Sequence, residues 1–212
     1  MVDLKLLYNA IIQGDAKAAL SVTREALAEN AAPIDLITGY MIPAMDEVGR
    51  LFESEEYFVP ELLLSARAMK ASMDLLRPLL VEAGVKATGK VVIGTVKGDL
   101  HDIGKNLVAS MLEGGGFEVF DLGVDVSPEK FVAAARERQA QIVCLSTLLT
   151  VTMPSMKAVI DALTNAGLRS SVKVLIGGAP VTNQFAQDIG ADGYGESASA
   201  AVSLARNAIA AT

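Results

Sequence analysis

Apolar residues recur with one period over the first part of this 212-residue chain and with another beyond it. Up to about residue 83 the spacing is helical. Leu4, Leu6, Leu7, Ala10 and Ile11 recur every three or four positions, Gly14-Asp15 breaks and recaps the chain, and residues 16–29 are rich in alanine. A third helix is expected to start near Pro33, a residue suited to a first turn, and a fourth to run from about Pro60 to Ala83. Four helices predict a small bundle over residues 1–85. Residues 84–90 are small, polar and bounded by glycine, which predicts a linker. Short β-branched runs then alternate with amphipathic segments. Strands are expected at 91–96, 117–122, 141–146, 172–177 and 192–194, and helices at 104–114, 128–139, 153–167, 182–189 and 197–210. Five such units predict an α/β domain over residues 86–212, built as a doubly wound five-stranded parallel sheet.

Composition narrows the classes of function. Hydrophobic residues make up 51% of the chain and mean hydropathy is +0.40, yet no apolar run approaches the roughly 18 to 20 residues of a bilayer span. No membrane association is expected. The start, Met1-Val2-Asp3-Leu4-Lys5, lacks the plan of a signal peptide, and the one cysteine, Cys144, has no partner for an internal disulfide; both point to a cytoplasmic protein. Cys144 reads as a buried strand residue. A net charge of -7 with no Lys/Arg stripe argues against nucleic acid, leaving small molecules and proteins as partners.

The candidate chemistry centres on the only histidine, His101, in Gly98-Asp99-Leu100-His101-Asp102-Ile103-Gly104 directly after the first expected strand. In an extended loop residues i and i+2 project to one side, so Asp99 can hold one ring nitrogen while the other faces a metal. Such a carboxylate fixes the tautomer and typically accounts for about 10- to 100-fold in metal affinity. Asp102 competes for that role, but adjacent side chains diverge. Gly104 opens the next helix without a side chain, which lets a bulky group approach. The loop alone equally describes a surface histidine. One Cys and one His exclude a tetrahedral Cys/His zinc site, whereas a metal carrying its own macrocycle needs only an axial ligand. Haem and cobalamin are the candidates.

Two further parts sharpen this. Asp99-x-His101-x-x-Gly104, then Ser146-x-Leu148, then Gly177-Gly178, resembles the three-part signature of proteins that bind cobalamin with its own base displaced by a histidine. Each part alone is weak, since a Gly-Gly pair is a common turn and Ser146 and Leu148 mark an ordinary strand end. Read physically, Ser146 and Leu148 offer a hydroxyl and an apolar surface, and Gly177-Gly178 leaves room for a flat group. The resemblance implies a flavodoxin-like (Rossmann-type) sheet, with His101 as lower cobalt ligand and the cobalamin nucleotide tail buried beside the sheet. It also implies a cofactor-binding loop made by Gly98, Asp99, Leu100, His101, Asp102 and Gly104. At matching positions Thr150 lies near the tail or corrin, Thr152 extends the His-Asp pair into a relay, and Ala198 makes a backbone contact to the cofactor.

The first half resembles the helical cap of methionine synthase and of corrinoid proteins in methyltransferase systems, through Asp46-Glu47-Val48-Gly49-Arg50-Leu51-Phe52 and Tyr57-Phe58-Val59-Pro60-Glu61. There Phe52 and Val59 match positions over the methyl group, although from spacing alone both read as bundle core. The implied function is a methyl carrier without catalytic residues of its own. It would bind methylcobalamin or another corrinoid and serve a substrate:corrinoid methyltransferase, a corrinoid:acceptor methyltransferase acting on a thiol or folate, and a reductive activator. Two alternatives bind the same cofactor, and the first of them shares the layout. A cobalamin-dependent sensor usually carries a DNA-binding segment and a tryptophan over the cofactor, and this chain has no Trp. A mutase small subunit would lack the Phe52 to Pro60 segment.

Overall fold

The structure, a computed structural model, describes residues 2–83 and 87–210. Contacts divide the chain into two compact units, residues 1–87 with 113–116, and residues 88–112 with 117–212. The expected boundary at residue 85 and the first part of the expected linker, 84–86, lie outside the described residues.

The helical unit contains α1 (Lys5–Ile12), α2 (Ala16–Ala28), α3 (Pro33–Leu36), α4 (Ile42–Glu53) and α5 (Val59–Glu82). Asp15 caps α2 by accepting from the backbone of Lys17 and Ala18, the recap expected from its position. Gly14 has a φ of +69, and a Cβ there would stand 2.5 Å from that of Leu64, so the turn both needs left-handed backbone and lies tight against α5. The third expected helix runs on through a single π turn, Ile37–Met41, into α4, so α3 and α4 act as one rod. Pro43 explains the π turn. It has no N–H for the carbonyl four residues back, and its ring crowds that carbonyl, so the helix widens and Ile42 N–H reaches Ile37 instead. Four helical rods remain, as the periodicity predicts. Their core is Leu7, Ile11, Val22, Leu36, Met41, Val48, Leu62, Met69 and Leu76, all buried. The buried hydroxyls are paired, Thr23 with Ser72 at 3.0 Å and Ser65 with the Ile12 carbonyl at 2.9 Å.

The second unit alternates β1 (Lys90–Thr95), α6 (Ile103–Gly114), β2 (Glu118–Asp121), α7 (Pro128–Arg138), β3 (Ile142–Ser146), α8 (Pro154–Asn165), β4 (Lys173–Gly177), α9 (Asn183–Ile189), β5 (Gly193–Gly195) and α10 (Ala198–Ala210). Every expected element is present within two residues of its predicted ends. All strand pairs are parallel, in the order β2-β1-β3-β4-β5, the flavodoxin-like order with its switch between β1 and β3. Val92, Val143, Leu145, Val174 and Ile176 pack with Phe131, Met156, Val159, Leu163 and Ala186, which places α7, α8 and α9 on one face. Leu175 points the other way, and a Cβ on Gly193 would meet both Leu175 and Leu204 of α10.

Register sets the site. Thr95 pairs with Ser146, Ser146 with Gly177 and Gly177 with Gly195, so the carboxyl ends of four strands form one row and the loops that follow them share an edge. Cys144 sits in the middle of β3 between Ile93 and Leu175, and burial pushes its thiol up to about 12. The folded protein is therefore expected to be inert to a thiol-specific disulfide reagent and to react with one equivalent after denaturation; rapid reaction of the folded form would contradict this placement. An unfolded cysteine ionises near ~8.5 and the folded one only near about 12, so the stability this thiol contributes is lost as pH rises through that interval.

Candidate functional site

The loop after β1 turns tightly. The Asp99 N–H donates to the Val96 carbonyl at 3.1 Å, Gly98 takes a φ of +88, and the Thr95 hydroxyl donates to the His101 carbonyl at 2.8 Å. This tether fixes where the loop leaves the sheet. Asp99 is fully buried, while the His101 side chain is 54% exposed.

Six groups lie within hydrogen-bonding distance of the Asp99 carboxylate. Oδ1 meets the His101 N–H at 3.0 Å and His101 Nδ1 at 2.9 Å. Oδ2 meets the Thr147 hydroxyl at 2.9 Å, the Leu148 N–H at 2.7 Å, the Leu149 N–H at 3.3 Å and the Thr152 hydroxyl at 3.2 Å. Burial by itself would raise the carboxyl's affinity for a proton. The N–H groups of His101 and Leu148, with His101 Nδ1 and the Thr147 hydroxyl, outweigh it and hold Asp99 well below the usual carboxylate range. An ionised Asp99 can only accept, so Nδ1 carries a proton and donates it to Oδ1, and Nε2 is the ring nitrogen left for another partner. Among the described residues nothing else bonds the ring. Asp102 takes no part, because its Oδ2 accepts from Asn106 Nδ2 at 3.1 Å.

The other expected residues gather at the same edge. Ser146 ends β3 half-buried, and Leu148 and Thr150 follow it exposed, with Thr150 opening a single 3-10 turn, Thr150–Thr152, that carries Thr152 back to Asp99. Ala198 is buried at the first position of α10, just beyond β5. A Cβ on Gly104 would touch nothing within 4 Å, so the start of α6 is open at that position. Exposed apolar side chains occupy the loops on either side of Asp99: Leu100 at 71%, Ile103 at 79%, Leu148 at 44%, Leu149 and Val151. Phe52 in the helical unit is half-buried and Val59 is exposed, so neither is an inner bundle residue; Phe58 beside Val59 is 63% exposed.

Two features were not anticipated. Thr147, between Ser146 and Leu148, puts a second hydroxyl on Asp99 Oδ2 and lies 2.5 Å from the Thr152 hydroxyl. Its signal was the strand alternation, which turns residue 147 to the side opposite Ser146. Gly178 also has a steric reason that the sequence does not show. Its φ is +129, and a Cβ there would stand 1.8 Å from the Thr147 carbonyl oxygen, so glycine is needed for the chain after β4 to pass the Thr147 backbone.

Residues 89–203 match a family described as a B12 binding domain, and residues 4–77 match a second family of the same description. Trimethylamine corrinoid protein 1 of Methanosarcina acetivorans is 44% identical over 200 residues, covering 93% of each chain. The chain belongs to the B12-binding corrinoid proteins. The solved structure of a cobalamin-binding protein from Desulfitobacterium hafniense DCB-2 is similar to this corrinoid protein with 38% identity and a TM-score of 0.81, over 98% of this chain and 99% of that one. The methanol:cobalamin methyltransferase complex of Methanosarcina barkeri contains a chain with 32% identity and a TM-score of 0.87, over 99% of this chain and 80% of that one.

This corrinoid protein binds cobalamin, and its residues fit that group. Among the described residues no set of three or more His, Cys, Asp or Glu side chains converges to hold a metal ion, and a corrin brings the remaining ligands of its own metal. The site offers one oriented imidazole nitrogen and an apolar rim. Replacing Gly178 with alanine is expected to lower stability by at least about 2 kcal/mol, because a backbone carbonyl blocks the new methyl group and the conformation disfavours any side chain. A denaturation midpoint equal to that of the parent would contradict the close approach.

Proposed function

We propose that this corrinoid protein is a methyl carrier in which His101 is the lower axial ligand of the cobalamin, serving a methyltransferase that loads it and a second that unloads it to a thiol or folate acceptor. Bound cobalamin supplies a cobalt centre able to take up and give up a methyl group. One observation carries the reading: the only imidazole in the chain has Nδ1 held by a buried, ionised carboxylate while its side chain stays 54% exposed.

The protein's own residues supply orientation. Asp99 selects the tautomer that leaves Nε2 as the donor atom and makes that nitrogen a stronger ligand. Thr147, Thr152 and the N–H groups of Leu148 and Leu149 hold the carboxylate from β3, so the aim of the ring is tied to two strands. Leu100, Ile103, Leu148 and Val151 give an apolar bed in keeping with a corrin. The names of similar proteins span trimethylamine and methanol on nearly the same length of chain, which supports placing donor choice in the partner. A reductive activator and a cytoplasmic location belong to the same reading; among the described residues no helix is long and apolar enough to cross a membrane.

Two measurements test it. With the reduced, cobalamin-loaded protein, a labelled methyl group from a methylamine or methanol should reach the bound cofactor only when the matching methyltransferase is present. A preparation that accepts methyl from methyl iodide but from none of these enzymes would sink the carrier reading. Asp99→Asn should weaken histidine ligation by on the order of 1 to 3 kcal/mol, since the amide turns N–H donors toward groups that themselves donate. An unchanged ligated fraction in the absorption spectrum would contradict the orienting role.

A further inference from the structure

Asp125 lies in the connection after β2, where the sequence pattern assigns it no role. Its φ is +52. The other described non-glycine residues with positive φ, Asn30, Glu55 and Gln139, each follow the end of a helix, where left-handed backbone is ordinary. Asp125 follows a strand, so its conformation has another cause.

That cause is the histidine loop. From one residue, the N–H donates to the Asp99 carbonyl at 2.9 Å, Oδ1 accepts from the Gly98 N–H at 2.8 Å, and Oδ2 accepts from Lys97 Nζ at 2.9 Å. We propose that Asp125 is a positioning residue for the axial histidine, holding the backbone of Gly98 and Asp99 so that Asp99 can aim His101. The inference rests on the reading of His101 as the ligand. Asp99 controls the ring through its side chain, and Asp125 controls Asp99 through its main chain.

The base on which Asp125 stands is stiff. Leu122 N–H donates to Ile93, Gly123 accepts from Thr95 N–H, and Val126 N–H donates back to the Thr95 carbonyl, at 2.8, 3.0 and 3.0 Å, with Val126 buried. The connection therefore continues the pairing with β1 past the end of β2. Its other end grips the far side of the histidine loop. Asp121 meets Nζ of Lys105 at 2.5 Å, in the first turn of α6, and that lysine side chain is 1% exposed. Residues 121–126 thus hold the chain on both sides of His101. A metal–imidazole bond is short and directional, so a loop freed to drift by a fraction of an ångström loses ligation before it loses its fold.

The test uses the full chain loaded with cobalamin and reads the ratio of histidine-ligated to unligated cofactor from the absorption spectrum, together with circular dichroism. Asp125→Gly keeps the left-handed backbone and removes the carboxylate; it should lower the ratio about 10-fold with an unchanged dichroism spectrum, as expected for lost hydrogen bonds to a charged acceptor. Asp125→Asn keeps the shape and one acceptor and should lower it about threefold, neutral bonds being roughly half as strong. The asparagine variant decides the question should the glycine variant not fold. A parental ratio in the folded variants, with ligation abolished in His101→Ala, would overturn the role of Asp125 and leave the ligand assignment intact. A parental spectrum in His101→Ala would overturn both.

Discussion

A buried negative charge organises this site. Asp99 is fully removed from solvent yet ionised, and an unpaired carboxylate in that position would cost several kcal/mol. The chain meets that demand with N–H and hydroxyl groups from the loops after β1 and β3, the two strands at the switch in strand order. Once those donors are in place, the remaining acceptor capacity goes to Nδ1 of the one histidine. The orientation of His101 follows from satisfying Asp99 rather than from packing around the ring, which is largely exposed.

The same demand reaches outward through the backbone. Bringing Leu148 and Leu149 N–H groups to Asp99 bends the chain after β3, and the segment after β4 must then pass so close to Thr147 that only glycine fits at 178. On the other side, Asp125 adopts left-handed backbone to hold Gly98 and Asp99.

Much of this was legible in the sequence. The β-branched runs and helical periods located each element of the α/β unit because the central strands are buried and leave little ambiguity of period. His101 and Asp99 could be paired from their spacing alone. What escaped were the continuity of α3 into α4 through a π turn beside Pro43, the second hydroxyl from Thr147, and the steric reason for Gly178. The π turn is a local effect of Pro43 on its own helix; the other two arise where one segment meets another distant in sequence, and Asp125, 26 positions from Asp99 along the chain, is the clearest case.

The central claim is that the nitrogen below cobalt belongs to His101. Histidine occurs once in this chain, so biosynthetic labelling of an untagged protein with nitrogen-15 histidine marks that residue alone. In the paramagnetic divalent-cobalt form of the bound cofactor, electron paramagnetic resonance resolves the coupling to the axial nitrogen. The account predicts that the triplet splitting of the unlabelled protein becomes a doublet on labelling; a triplet that persists, coming from the cobalamin's own base, would contradict it.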